Sequence, residues 1–391
     1  MAKPFDPRKI LKRINNSLLR PFFDLHGGLA DVPWDDLRET QIEPVYTAWQ
    51  NMPEDMRRHV QVILHDINEL ADERGMKVLV EELQRSTPVN VDEFEALAGQ
   101  ADRAMWAYLN ARTAFTIAAY FARAEALSTG RYWVKRNSLP QQVIEVTDAL
   151  KSTLQEDLSR FHWDRQMRGK CCVVEHYVRS GGSQYFFAYL DDYPDKKLIF
   201  DDEGRMVPRE DRHAFEHVFV FHPGDGSLEM FARGGKAVYE PLQQIFCKAT
   251  LGLDVDPADP LRPAYTLDHM LLPNRPMPTD PNDRIASAII TRVRLQPVDA
   301  GGDYIELGLD PNRGAHHIDQ AISEYLNTHR LTPERVRVKQ MSFKLTFAPD
   351  APARSLSFTV GCPSTCDLKS KPDELRAIGE RCLRLWEVTN D

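Results

Sequence analysis

The chain lacks the signatures of the commonest enzyme designs. Its 391 residues contain no G-x-x-x-x-G-K-[ST], no G-x-G-x-x-G, no G-x-S-x-G and no H-E-x-x-H. Such spacings cradle phosphates on backbone amides, expose a nucleophilic serine or set two zinc ligands on one helix face. Without them the sequence turns away from the usual nucleotide-binding, serine-hydrolase and zincin chemistries. Enzymes whose catalytic residues are scattered along the chain are not excluded.

Long apolar runs are missing too. The nearest, AMWAYLNARTAFTIAAYFARAEAL, is broken by Arg112, Arg123 and Glu125. It is expected to be a buried helix, and no membrane span is expected. The start of the chain has no apolar core followed by a small-residue cleavage site, so no secretory signal is expected. The six cysteines, at 171, 172, 247, 362, 366 and 382, have no disulfide-ladder spacing. That points to a reducing, cytoplasmic location. Net positive charge is absent as well. A formal charge of −9 disfavours general binding to nucleic acid and leaves only local basic patches.

What is present is an ordinary globular composition, 42% hydrophobic and 27% charged, on a chain long enough for two or three domains. The pattern predicts an α+β, multi-domain protein: an N-terminal helical bundle followed by two β-rich modules, each closed by a helix. Residues 1–23 read as a basic amphipathic arm. Lys9, Lys12, Arg13 and Arg20 accompany Ile10, Leu11, Ile14, Leu18, Phe22 and Phe23 at near-helical spacing. Pro21 is expected to end that helix. Residues 21–100 then carry a net −11, an acidic block able to receive the arm.

Residues 24–165 read as the helical domain. Asn51 with Glu54 reads as a capping box, and Gly75 and Gly99 read as breaks. From residue 166 to 252, β-branched and aromatic residues alternate with turn signals, including a hairpin at Pro223-Gly224-Asp225-Gly226. Residues 253–283 hold seven of the 26 prolines and no glycine, and read as a stiff strap. Tyr265, Leu267, Met270, Leu271 and Leu272 are placed to pin it. Residues 284–391 read as strand, strand, helix, strand, strand, helix.

The strongest functional pattern is a basic stripe. Arg292 and Arg294 alternate with Val293 and Leu295, while Arg335, Arg337 and Lys339 alternate with Val336 and Val338. Period-two alternation puts the cations on one sheet face and the apolar set on the other. Ser355, Ser357 and Thr359 belong to the same open face if the strands pair side by side. After Lys339 the phase flips to Met341, Phe343, Leu345 and Phe347, which predicts a bulge near Gln340. A second patch combines Arg131, Lys135 and Arg136 with Tyr132 and Trp133, a mixture suited to stacking on bases or anchoring an interface.

Other residues carry weaker signals. Cys362 and Cys366 supply two of the four ligands that zinc needs. His316 and His317 stand at a helix start as a possible base. Asp191, Asp192, Asp195, Asp201, Asp202 and Glu203, or Asp303 and Glu306, would serve a metal-dependent nuclease, although acids of this kind more often make turns. No metal site and no cofactor is expected.

The sequence therefore favours a non-enzymatic binding or assembly subunit of a cytoplasmic complex. Its basic sheet face and its arm (Lys9, Lys12, Arg13) would dock an acidic protein partner or a second copy. The alternatives are a nucleic-acid-binding protein, within a bacterial defence or nucleic-acid-processing complex, and a metal-dependent nuclease or hydrolase.

Overall fold

The computed structural model describes residues 5–85, 91–128, 132–179, 181–201, 203–256, 263–272, 275–299, 301–309, 318–325, 332, 335–351 and 353–390. Among these residues the chain is α+β, with twelve α-helices and two five-stranded antiparallel sheets. It divides into two compact units, residues 1–126 and 127–391. No described helix is long and apolar enough to cross a membrane.

Helices build the first unit: α1 (Pro7–Leu11), α2 (Asn16–Leu25), α3 (Glu43–Gln50), α4 (Glu54–Leu70), α5 (Glu73–Arg85), α6 (Val91–Ala96), α7 (Gln100–Asn110) and most of α8 (Arg112–Ser128). Asn51 does not cap α4. It closes α3, and Pro53 stands at the start of α4. Gly99 does break α6 from α7. Gly75 lies inside α5, where a Cβ would press on the backbone of Leu70, so the tight α4–α5 corner needs glycine.

The expected basic arm is corrected here: the apolar face of residues 7–25 is part of the core. Ile10, Leu11, Ile14, Leu19, Phe22 and Phe23 are buried. Asn15 donates its backbone N–H and its side-chain amide to the buried Asp102 carboxylate, at 2.7 and 2.8 Å. The cations meet the unit's own acceptors. Arg8 pairs with Glu43 at 3.0 Å, Arg20 with Asp35 at 2.9 Å, and Arg13 donates to the Ala71 carbonyl at 2.7 Å. The acidic block thus receives the segment within its own chain. Helix α2 also runs through Pro21. One lost backbone hydrogen bond is outweighed by burying Phe22 and Phe23 beside it.

The second unit opens with β1 (Trp133–Arg136) and α9 (Asp148–Gln166). There follow β2 (Cys172–Val178), β3 (Gln184–Phe200), β4 (Met206–His222), β5 (Ser227–Phe231) and α10 (Lys236–Leu251). The first sheet has the order β1-β5-β4-β3-β2. Helix α9 therefore belongs with this sheet and not with the helical unit. Its Leu154 and Leu158 share a core with Phe186, Phe219 and Phe246. Residues 133–136 supply an edge strand although the β-rich texture starts only near residue 170.

The expected hairpin joins β4 to β5. Gly226 turns it at φ +64°, and a Cβ there would strike the carbonyl of Leu139, which accepts no such approach. The Gly226→Ala variant is expected to lose at least about 2 kcal/mol of stability, from left-handed strain plus the clash. Urea denaturation measures it, and an unchanged midpoint would refute this reading of the turn.

The second sheet has the order β10-β9-β8-β6-β7. Its strands are β6 (Ile285–Pro297), β7 (Ile305–Gly308), β8 (Val336–Phe347), β9 (Ser355–Gly361) and β10 (Thr365–Cys366), with α11 (Ile318–Tyr325) between β7 and β8. Helix α12 (Asp373–Leu385) closes one face, where Cys382, Leu383 and Trp386 pack on Val293, Phe343, Leu345 and Phe358. The strap is pinned as expected. Leu267 and Met270 are buried in the same core, and the Trp386 indole donates to the Pro278 carbonyl at 2.9 Å. Leu272 is exposed.

Candidate anion-binding face

The structure brings the basic stripe together. Strands β6 and β8 pair directly, and Val293, Leu295, Val336 and Val338 point into the core. The cations are left on the open face. The bulge is where the phase flip places it. Arg294 lies opposite Gln340 while Leu295 lies opposite Val338, which makes Lys339 the extra residue. Beyond it Gln340, Ser342 and Lys344 share the face of Arg292 and Arg294, and Thr359 and Ser357 continue the row on β9. The Ser342 and Thr359 hydroxyls are 2.9 Å apart. Lys344 was not picked out from the sequence, although the phase flip alone turns it outward.

The module supplies some of its own counterions. Glu306 on β7 accepts from Arg294 at 2.7 and 2.9 Å and lies 3.7 Å from Arg292. Arg335 pairs with Asp299 at 3.1 Å and Arg337 with Asp268 at 3.5 Å. Among the described residues Lys339 and Lys344 have no carboxylate partner. Six cations thus share three acids. Exposed pairs of this kind are weak, and water or a partner competes for them easily.

The second patch does not form a stacking surface. Arg131 lies outside the described residues. Trp133 is only 8% exposed, and its indole N–H donates to Glu229 Oε2 at 2.8 Å. Arg136 donates to the Asp256 carbonyl at 2.9 Å, and the backbone N–H of Lys135 is bonded to the Ser364 carbonyl. Tyr132 packs edge-on against Phe231. Burial has turned an aromatic-basic motif into a structural joint. On the N-terminal segment, Lys9 and Lys12 are exposed and Arg13 is committed to Ala71 and Asn68.

The acid clusters are engaged locally. Asp191 accepts from the Cys171 N–H at 2.6 Å, Asp192 pairs with Arg168 at 2.9 Å, and Asp201 holds the turn before Arg205. Glu306 is engaged by Arg294 and Arg292. Burial pushes the Cys362 and Cys366 thiols up to about 12, so both stay protonated near neutrality. His316, His317 and Asp202 lie outside the described residues. Among the described residues no three of His, Cys, Asp and Glu gather as a metal-binding group. An open groove of about 550 Å³ between α9 and α10 matches its own charges, with Arg160 on Asp157 at 3.1 Å and Lys248 on Asp254 at 3.3 Å.

Two polar clusters, one half-buried and one buried, were invisible in the sequence because their members lie far apart along it. In the first, Ser183 Oγ is 2.8 Å from His222 Nδ1, with Glu229 Oε1 3.9 Å from His222 Nε2. This is a serine–histidine–acid order, but the acid link is too long for a hydrogen bond. Glu229 is instead taken up by Trp133 and Lys369. Burial, then the charge of Lys369, brings the His222 pKa down to about 4. The carboxylate neutralises a lysine and holds an indole, so it lends His222 little basicity.

The second cluster is a histidine pair, with His162 and His217 Nε2 atoms 2.8 Å apart in stacked rings. Arg168 Nε donates to Gln166 Oε1 at 2.7 Å, so that oxygen is an acceptor. His162 Nδ1, 3.2 Å away, therefore carries the hydrogen, and His162 Nε2 accepts from His217. Among the described residues the buried His217 Nδ1 makes no hydrogen bond of normal geometry, and the Phe231 backbone is a polar influence on it. Burial brings the two groups to about 4 and about 3. The signal that was available is local: His217 sits in the apolar row of Phe215 and Phe219.

Comparison with known proteins found no family model that matches the chain and no match to a characterised relative.

Proposed function

We propose that the chain is a non-enzymatic binding subunit whose second sheet docks an acidic protein surface through its open face. One observation carries the reading: among the described residues Lys339 and Lys344 have no carboxylate partner, and they stand among arginines and hydroxyls on the face opposite the core that the module's helices cover. Carboxylates on a partner would replace the weak internal pairs and join two unmatched lysines. The buried Trp133 favours an acidic protein over a nucleic acid, because the expected stacking platform is not presented. The six cysteines are free thiols, which fits a reducing cytoplasm.

The test uses two probes, a polyglutamate peptide and a single-stranded oligonucleotide, titrated at low salt. Polyglutamate is expected to bind, and to weaken steeply with added salt. Lys339→Glu with Lys344→Glu should weaken it by about tenfold or more without moving the melting temperature. Tighter binding of the oligonucleotide would transfer the reading to nucleic acid. Binding of neither probe would remove both readings.

A further inference from the structure

Strands β3 and β4 outrun their sheet. β2 pairs with β3 only between Gln184 and Leu190, and β5 pairs with β4 only between Val218 and His222. Beyond an irregularity at Asp191–Pro194, residues 194–200 and 206–212 pair, among the described residues, only with each other. The turn between them is fixed by Asp201 Oδ1, which accepts from the backbone of Glu203 and Arg205 at 3.1 and 2.8 Å. None of these strand residues is buried. A lone two-stranded ribbon is marginal in water, and an exposed apolar face on one calls for a cover.

The register separates the two faces. One carries the cross-strand pairs Lys196↔Glu210, Leu198↔Pro208 and Phe200↔Met206. Leu198, Phe200 and Met206 are 64%, 69% and 61% exposed. The other face carries Asp195↔Asp211, Lys197↔Arg209 and Ile199↔Val207. A two-fold axis running along the ribbon above a face sets β3 of one copy over β4 of the next. Each cross-strand pair is then repeated across the interface. On the first face this puts Phe200 on Met206, Leu198 on Pro208 and Lys196 on Glu210, all favourable. On the second it puts aspartate on aspartate and lysine on arginine. Only the first face is complementary to itself.

We infer that this ribbon face joins two copies of the chain, tip beside tip, through Leu198, Phe200, Met206 and Pro208 with two Lys196–Glu210 pairs at the rim. The six side chains of this face are far fewer than the roughly 20–30 residues a side of a standard interface, so the dimer forms reversibly with rising concentration. It is independent of the anion-binding face on the other sheet.

Sedimentation of the full chain across a broad concentration range tests the inference. A monomer–dimer equilibrium is expected, and Leu198→Ser with Phe200→Ser should abolish it while the melting temperature holds. The decisive arm uses charge. Lys196→Glu places glutamate on Glu210 of the other copy, and Glu210→Lys places lysine on Lys196. Each variant alone should dimerise about tenfold more weakly. Mixing the two variants should restore association, because each then meets its opposite. A chain that stays monomeric at every concentration, or a mixture no tighter than its components, would overturn the inference and leave the face to a foreign apolar segment.

Discussion

Removing residues 1–23 is expected to unfold the first unit. The segment buries Ile10, Leu11, Ile14, Leu19, Phe22 and Phe23 in that unit's core. Truncating one such side chain costs about 2–5 kcal/mol, and a domain's whole stability is about 5–15 kcal/mol. Losing all six exceeds what the remaining helices retain. Asp102 also suffers. Burial already raises its carboxyl above the usual range, and the Asn15 N–H opposes that shift. Without Asn15 the buried acid loses both of its donors from that residue. Phe22→Ala alone should cost about 3–5 kcal/mol, whereas Lys9→Ala should be nearly neutral, because its ammonium is exposed beside Asp6. Limited proteolysis of the full chain, read by mass spectrometry, separates the two units. If the shortened chain resists cleavage in residues 24–126 as well as the intact protein does, the segment is a dispensable arm after all.

The second large effect is expected on acidification. His162, His217 and His222 are held neutral, with pKa values brought down to about 4, 3 and 4, in each case chiefly by burial. Their unfolded values lie near 6.5. The folded state therefore excludes protons that the unfolded chain binds. The stabilisation is complete above about pH 6.5 and falls as the pH drops toward 4. Each pKa unit corresponds to about 1.4 kcal/mol, but His162 and His217 titrate as one coupled pair, so their losses do not add. A total loss of a few kcal/mol between pH 6.5 and 4.5 is expected, before most carboxylates protonate. The charged groups around the pair act in opposite directions: Arg168 strengthens the effect by opposing protonation of both rings, and Asp192 weakly offsets it at His162. Urea midpoints against pH provide the measurement. The His162→Gln, His217→Gln double variant should flatten the curve in this window. A wild-type midpoint that is level from pH 6.5 to 4.5 would contradict the assignment.

Local patterns in the chain were legible wherever one residue type repeated with one period. The α+β class, the β4–β5 hairpin, the β8 bulge and the basic stripe all follow from alternation of period two or near 3.6, which is a property of neighbours along the chain. Position 339 shows how fine this can be. A single slip in phase, read from Val338 and Met341, located the bulge in the structure.

Three further features depended on what the far parts of the chain supply. The N-terminal helices look like an arm because their apolar stripe has no partner nearby in sequence. Residues from α3, α4 and α7 provide it. Trp133 looks like a stacking platform until Glu229, 96 positions later, accepts its N–H. The histidine pair is separated by 55 positions and exists only because α9 lies on the sheet against β4.

The sequence by itself determined which residues face the same way, since side-chain direction follows from backbone period alone. Only the tertiary structure decided which of those faces is covered and which cation already has its acid. Burial and ion pairing are contacts between distant segments, and no local period encodes them. For the same reason Asp191, Asp192 and Asp195 read in sequence as turn residues, whereas β3 runs through them to Phe200 and forms a ribbon with β4. The ribbon's apolar face stands open only because the neighbouring strands stop short.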